Sequence, residues 1–165
     1  RASTKRNITT SALARVNLSW NELSQPARLA AAKAGLRPPA RNPFLNNVAQ
    51  AVELVDVCVR CEAMLRWLAF GEGKPVDFEV RAGRGVGMTE APRGTLIHEL
   101  EIGEDGRVKH ASIITPTVHN LGDTESSVRT LADLLAEQGA SEEEIRLEVG
   151  KLVRAYDPCL SCSVH

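Results

Sequence analysis

"GTLIHELEIGEDGRVKHASIITP", residues 94–116, reads as two strands joined by a turn. Leu96, His98, Leu100 and Ile102 alternate with Thr95, Ile97, Glu99 and Glu101, the period of a strand whose two faces differ. Asp105 and Gly106 supply a turn pair of the kind hairpins favour. This stretch decides the fold class, because the longer segments on either side of it carry helical spacing. A β-hairpin set among helices makes the chain α+β and mainly helical. The alternation puts His98 on the apolar side, where a histidine is expected to be a core residue, and leaves His110 in solvent.

Upstream of the hairpin, residues 71–93 are dense in glycine and read as a loop, with room for one short strand at "VDFEV", residues 76–80. The run "GRGVG", Gly83 to Gly87, lacks a G-x-G-x-x-G match and no helix follows it. Its glycines are expected to permit close packing. A long helix is predicted from about Leu45 to Phe70, because Val48, Val52, Val55, Val59 and Ala63 recur at steps of three and four. Ala51, Leu54, Cys58, Cys61, Leu65 and Leu68 widen its apolar surface, so a long buried helix is expected, covered on more than one side. Before it, "LRPPARNP" is a proline-rich connector, and Trp20 to Gly35 reads as a helix with Pro26 near its start. Residues 1–43 are therefore an N-terminal segment and connector, and 44–165 the main portion.

Downstream, "DTESSVRTLADLLAEQG" carries Val128, Leu131 and Leu135 on one helical stripe and ends at Gly139. "SEEEIRLEVGKLVRAY" opens on a Ser141/Glu144 capping box and stripes Ile145, Val149, Leu152, Val153 and Tyr156. Pro158 stops that helix, and the chain closes on "DPCLSCSVH", residues 157–165.

A formal charge of -1 with its charges spread along the chain makes nucleic acid a poor partner. No apolar run approaches the roughly 20 residues of a membrane span, and the opening residues lack the apolar centre of a signal peptide. A cytoplasmic protein is expected. Six aromatic residues (Phe44, Phe70, Phe78, Trp20, Trp67 and Tyr156) leave the core to aliphatic side chains. The chain opens without Met, on a charged stretch, so upstream residues or a partner chain are expected to complete it.

The four cysteines form two C-x-x-C pairs, Cys58/Cys61 and Cys159/Cys162. One reading joins them in a single zinc or iron–sulfur site. Against it, Cys58 and Cys61 lie in an apolar helical stretch, where cysteine usually behaves as a small buried hydrophobe. In the tail, Cys159, Cys162 and His165 follow at equal steps, and thiolates with an imidazole suit zinc, nickel or iron. Three residues cannot complete a closed four-coordinate site, so other ligands must come from elsewhere.

The tail resembles the D-P-C-x-x-C-x-x-H motif of [NiFe] hydrogenase large subunits, matched at Asp157, Pro158, Cys159, Cys162 and His165. "EAPRG", Glu90 to Gly94, resembles the segment ahead of that family's hairpin, and "TPTVHN", Thr115 to Asn120, the stretch after it. The resemblance covers roughly residues 45 to 165 and lacks the family's R-x-C-G-x-C motif, which Cys58 and Cys61 do not restore. It implies a metal-binding tail. Cys159 would be a terminal nickel ligand, Cys162 would bridge nickel to an iron carrying CO and cyanide, and His165 would bind a separate Mg or Fe ion. Arg93 would assist splitting of dihydrogen over the open metal position, with Asp157 pairing its guanidinium. Pro92 would line the dry pocket and Thr117 would donate to a cyanide ligand. Glu90 is given no role of this kind and is expected only to satisfy loop amides, and His119 stands where many relatives have Trp. The implied partners are an iron–sulfur small subunit, the N-terminal part of the large subunit and H2. Because the family is cut after the motif His by a maturation protease, a chain ending at His165 resembles a processed product. The implied electron acceptors are nicotinamide, flavin-linked or deazaflavin compounds.

Overall fold

The structure is a computed structural model and describes residues 7–69 and 71–162. Its order is α1 (Ala12–Leu18), α2 (Gln25–Lys33), α3 (Asn46–Trp67), β1 (Gly83–Ala91), β2 (Gly94–Ile102), β3 (Val108–Ile114), α4 (Pro116–Glu137) and α5 (Glu142–Ala155). The three strands form one antiparallel sheet in the order β1-β2-β3.

The predicted hairpin is β2 and β3, with Ile102 opposite Val108 and Gly106 in the left-handed region at φ 73°. The glycine run is a correction. "GRGVGMTEA" is a strand rather than a loop, pairing Gly83 with Ile102 through to Ala91 with Gly94. Strand pairing needs only the backbone, so the missing side chains that argued for a loop do not prevent it. A Cβ at Gly83, Gly85 or Gly87 would meet nothing within 4 Å, so these glycines do not serve close packing within this chain. "VDFEV" has no regular structure.

Two helix starts differ from the pattern. α2 begins at Gln25, with Pro26 in its first turn, where the missing N–H costs nothing; a proline further inside would strike the preceding turn. Trp20–Glu22 is a separate 3-10 turn. α4 starts seven residues before Asp123, because Pro116 is pre-set for a first helical position and Gly122 is tolerated inside. α5 carries the predicted capping box, Ser141 with Glu144. α1, not predicted, is capped by the Ser11 side chain.

The core lies where the sequence was least readable. Ala12, Leu13, Val16, Ala27, Ala31 and Leu36 are packed on Ala49 and Val52 of α3. Alanines at the contacts bring α1 and α2 close to α3, replacing the aromatic bulk the chain lacks. Asn46, buried, accepts from the Leu13 amide (3.1 Å) and donates to the Ala155 carbonyl (2.8 Å), tying α1, α3 and α5 together.

The expected long buried helix is corrected to a half-buried one. Only Asn46, Ala49, Val52 and Asp56 of α3 are buried; Leu54, Val57, Met64, Leu65 and Trp67 are exposed, and so are Cys58 and Cys61. His98, expected in the core, is exposed as well. The solvent-accessible area is 12624 Å², well above the roughly 8000 Å² of a compact 17.9 kDa monomer. The wide apolar stripe of α3 is present, and its cover is not within the described residues.

Candidate metal centre

Four segments converge at the end of α5. The first is the two-residue turn Pro92–Arg93 between β1 and β2. The second is the first turn of α4, which carries Thr117. The third is α3, and the fourth is the chain leaving α5 through Asp157.

Asp157 has φ 49°, the only positive value on a non-glycine among the described residues. A left-handed residue just past a helix is usually glycine, and an L side chain there costs on the order of 1 kcal/mol. The carboxylate retained at that cost makes two contacts through one oxygen. Its Oδ2 forms an ion pair with Arg93 Nε at 3.1 Å and accepts a hydrogen bond from Gln50 Nε2 at 2.9 Å. Gln50, on α3, was not singled out in the sequence. Two residues on, the Cys159 amide donates to Thr117 Oγ1 at 3.0 Å, which leaves the Thr117 hydroxyl hydrogen available as a donor.

Cys159 and Cys162 sit on one short turn, with the Cys162 amide bonded to the Cys159 carbonyl at 3.2 Å. Their Cα atoms are 5.3 Å apart and their sulfurs are joined as a disulfide. Two-electron reduction gives two adjacent thiolates, soft donors of the type that binds nickel and iron. Among the described residues no group of three or more His, Cys, Asp or Glu could hold a metal ion. The donors therefore fit a nickel–iron centre in kind and supply part of a ligand set. The alternative of one site from all four cysteines is not formed among the described residues, where Cys58 and Cys61 are free on α3 and join no such cluster. His165 lies outside the described residues.

Glu90 is a further correction. It does not satisfy loop amides; its carboxylate accepts from Arg15 Nη1 at 3.1 Å and from the Thr95 hydroxyl at 2.5 Å. Arg15, on α1, also meets Glu53 and the carbonyls of Ala91 and Pro92. The Glu53 hydrogen bond holds the guanidinium above the usual arginine value, against the opposing effect of burial. Behind the turn, Asn120 bonds both backbone groups of Thr10, at 2.8 and 2.9 Å. Pro92 and Arg93 are open to solvent in this chain. The Nε2 of His119, beside Thr117, is buried and has no hydrogen-bond partner among the described residues.

Tyr156 anchors the site from below. Its hydroxyl donates to Asp123 at 2.6 Å and lies 2.9 Å from Ser127 Oγ, joining α5 to α4. Burial first, then the bond to Asp123, pushes its pKa from 10.0 up to about 12. The folded state therefore holds this proton more tightly than the unfolded state, and stability is expected to fall as pH rises from about 10 to about 12. Because Tyr156 is the single tyrosine, phenolate absorbance alongside thermal unfolding checks this directly. Tyr156→Phe should remove the dependence in that window.

Residues 52–165 match the family described as nickel-dependent hydrogenase, and the chain belongs to that family. It corresponds to part of the large subunit of these enzymes. It is 45% identical over 130 residues to sulfhydrogenase 1 subunit alpha of Pyrococcus furiosus, covering 75% of this chain and 29% of that relative. Sulfhydrogenase 2 subunit alpha of the same organism is 39% identical over 125 residues, with 73% and 29% covered. A crystal structure of an NAD+-reducing [NiFe]-hydrogenase in the H2-reduced state superposes with a TM-score of 0.70 at 25% identity, over 99% of this chain and 37% of that one. The chain thus spans under a third of the two curated relatives.

Proposed function

We propose that the chain is the C-terminal segment of the catalytic subunit of a cytoplasmic [NiFe] hydrogenase, with residues 44–165 as the C-terminal portion of the large-subunit domain. The observation that supports this best is the convergence of Arg93, Asp157, Thr117 and Cys159 at the end of one helix. When bound, the nickel–iron centre, with CO and cyanide on its iron, supplies the redox and Lewis-acid chemistry for reversible heterolytic splitting of H2.

Reduced to thiolates, Cys159 and Cys162 would hold that centre, and the Cys159 sulfur would serve as the proton acceptor. Arg93 keeps Nε on Asp157, and its remaining N–H groups would present a fixed positive charge to what arrives at the bound centre. Asp157 sets the guanidinium plane. Thr117 keeps the Cys159 amide in place and donates its hydroxyl hydrogen to a cyanide ligand. Pro92 excludes water once the rest of the subunit covers the turn, and His165 binds a Mg or Fe ion. The N-terminal part of the subunit supplies the other thiolates, and an iron–sulfur small subunit takes the electrons. No helix among the described residues is long and apolar enough to cross a membrane.

The test is metal analysis and H2 turnover of the complete subunit with its partner. Nickel and iron with infrared bands of CO and cyanide, and H2-dependent dye reduction, are expected. One zinc per chain and no nickel would overturn the proposal.

A further inference from the structure

We infer that Arg15 is a positioning residue for Arg93, an assignment that rests on the function proposed above. Arg15 lies on α1, outside the residues that match the family. A guanidinium has five N–H donors, and all five are engaged. Nε and Nη2 form a fork on Glu53 at 2.7 Å each; Nη1 reaches Glu90 Oε2 and the Ala91 carbonyl, both at 3.1 Å; Nη2 also reaches the Pro92 carbonyl at 2.8 Å. The Pro92 carbonyl belongs to the peptide group that contains the Arg93 amide. Fixing that plane fixes where the Arg93 side chain leaves the turn.

The anchor of the clamp is α3. Glu53 stands three residues after Gln50, so both lie on one face of the helix. Gln50 holds the Asp157 carboxylate, and Glu53 holds Arg15. One rigid helix therefore sets both members of the Arg93–Asp157 pair, one directly and the other through Arg15. Lysine at position 15 could keep the charge but not the fork, having three donors on a single nitrogen. Arg15 and Glu53 are each 23% exposed at the side chain, so this pair is shielded more than an ordinary surface ion pair.

The test uses the complete assembled enzyme and a double-mutant cycle with Arg93→Lys. Arg15→Gln is expected to lower H2 turnover about tenfold alone and less than about twofold on the Arg93→Lys background, the non-additivity of residues that act as a unit. Hydrogen exchange at the Arg93 and Gly94 amides should accelerate, with exchange in α5 and nickel content unchanged. Equal losses in both backgrounds, or unchanged turnover and exchange, would overturn the assignment. If Arg15→Gln fails to assemble, Arg15→Lys carries the same cycle, and loss of nickel from both variants would mean a structural role instead. Absence of H2 turnover in the unmutated enzyme would count against the function alone, because exchange at the turn still reads the positioning.

Discussion

Arg93→Lys is expected to lower H2 turnover about a hundredfold, close to 2.7 kcal/mol on the barrier, while nickel and iron content stay unchanged. The guanidinium does two things at once. Nε pairs with Asp157 Oδ2 at 3.1 Å, and in the proposed site the other nitrogens would face the open metal position. A lysine ammonium is a single point that must choose between them, and it lacks the planar fork that fixes direction. The metals are unaffected in this account because Arg93 is not a ligand. H2-dependent dye reduction with metal analysis on the same preparation checks both halves. Turnover within about twofold of the unmutated enzyme would remove Arg93 from the mechanism.

Gly94→Ala is expected to destabilise the protein by about 3 kcal/mol, combining backbone strain with overpacking. Gly94 has φ 135°, outside the range L side chains adopt readily, and it is buried. A Cβ would collide with the Thr10 carbonyl oxygen and lie 2.7 Å from its carbon. Thr10 cannot retreat, because Asn120 holds its amide and its carbonyl. The Thr10 hydroxyl oxygen would also lie 2.5 Å from that Cβ, but the backbone collision remains without it, so Thr10→Ala should not restore stability. At this chain length the midpoint of thermal unfolding should drop by about 6 to 12 °C. A drop of less than about 2 °C would show that the turn has slack. The same change should weaken activity, since Gly94 directly follows Arg93.

How legible these features were depends on the range of the interaction that made them. The β2–β3 hairpin, the Ser141/Glu144 cap and the Gly35 and Gly139 stops are local, set by alternation, capping and turn chemistry within a few residues. Strand β1 was hidden because its identity comes from backbone pairing with β2, which glycines permit without announcing. α1 is only seven residues long, too short to show a helical period. Cys58 and Cys61 looked like core residues because spacing measures which face is apolar, not whether anything covers it.

The candidate site divides in the same way. Arg93, Asp157, Thr117 and Cys159 were suggested by short motifs, and the structure brings them together. Gln50 and Arg15 carry no motif. They reach the site across 107 and 75 to 77 residues of chain, and a glutamine or arginine in a helix gives no sign of so distant a partner. Asp157 did carry a signal that was read only in part. Aspartate before proline suggested a turn, whereas its left-handed backbone marks a side chain held in place for its contacts.

The central claim is that Cys159 and Cys162 provide thiolates to a nickel centre in the complete subunit. X-ray absorption at the nickel edge of that subunit, compared with its Cys159→Ser variant, tests it most directly. The account predicts one nickel with sulfur ligands in the unmutated protein, and loss of nickel or of one sulfur ligand in the variant. Nickel bound with the same sulfur count in both, or a preparation holding zinc and no nickel, would contradict it.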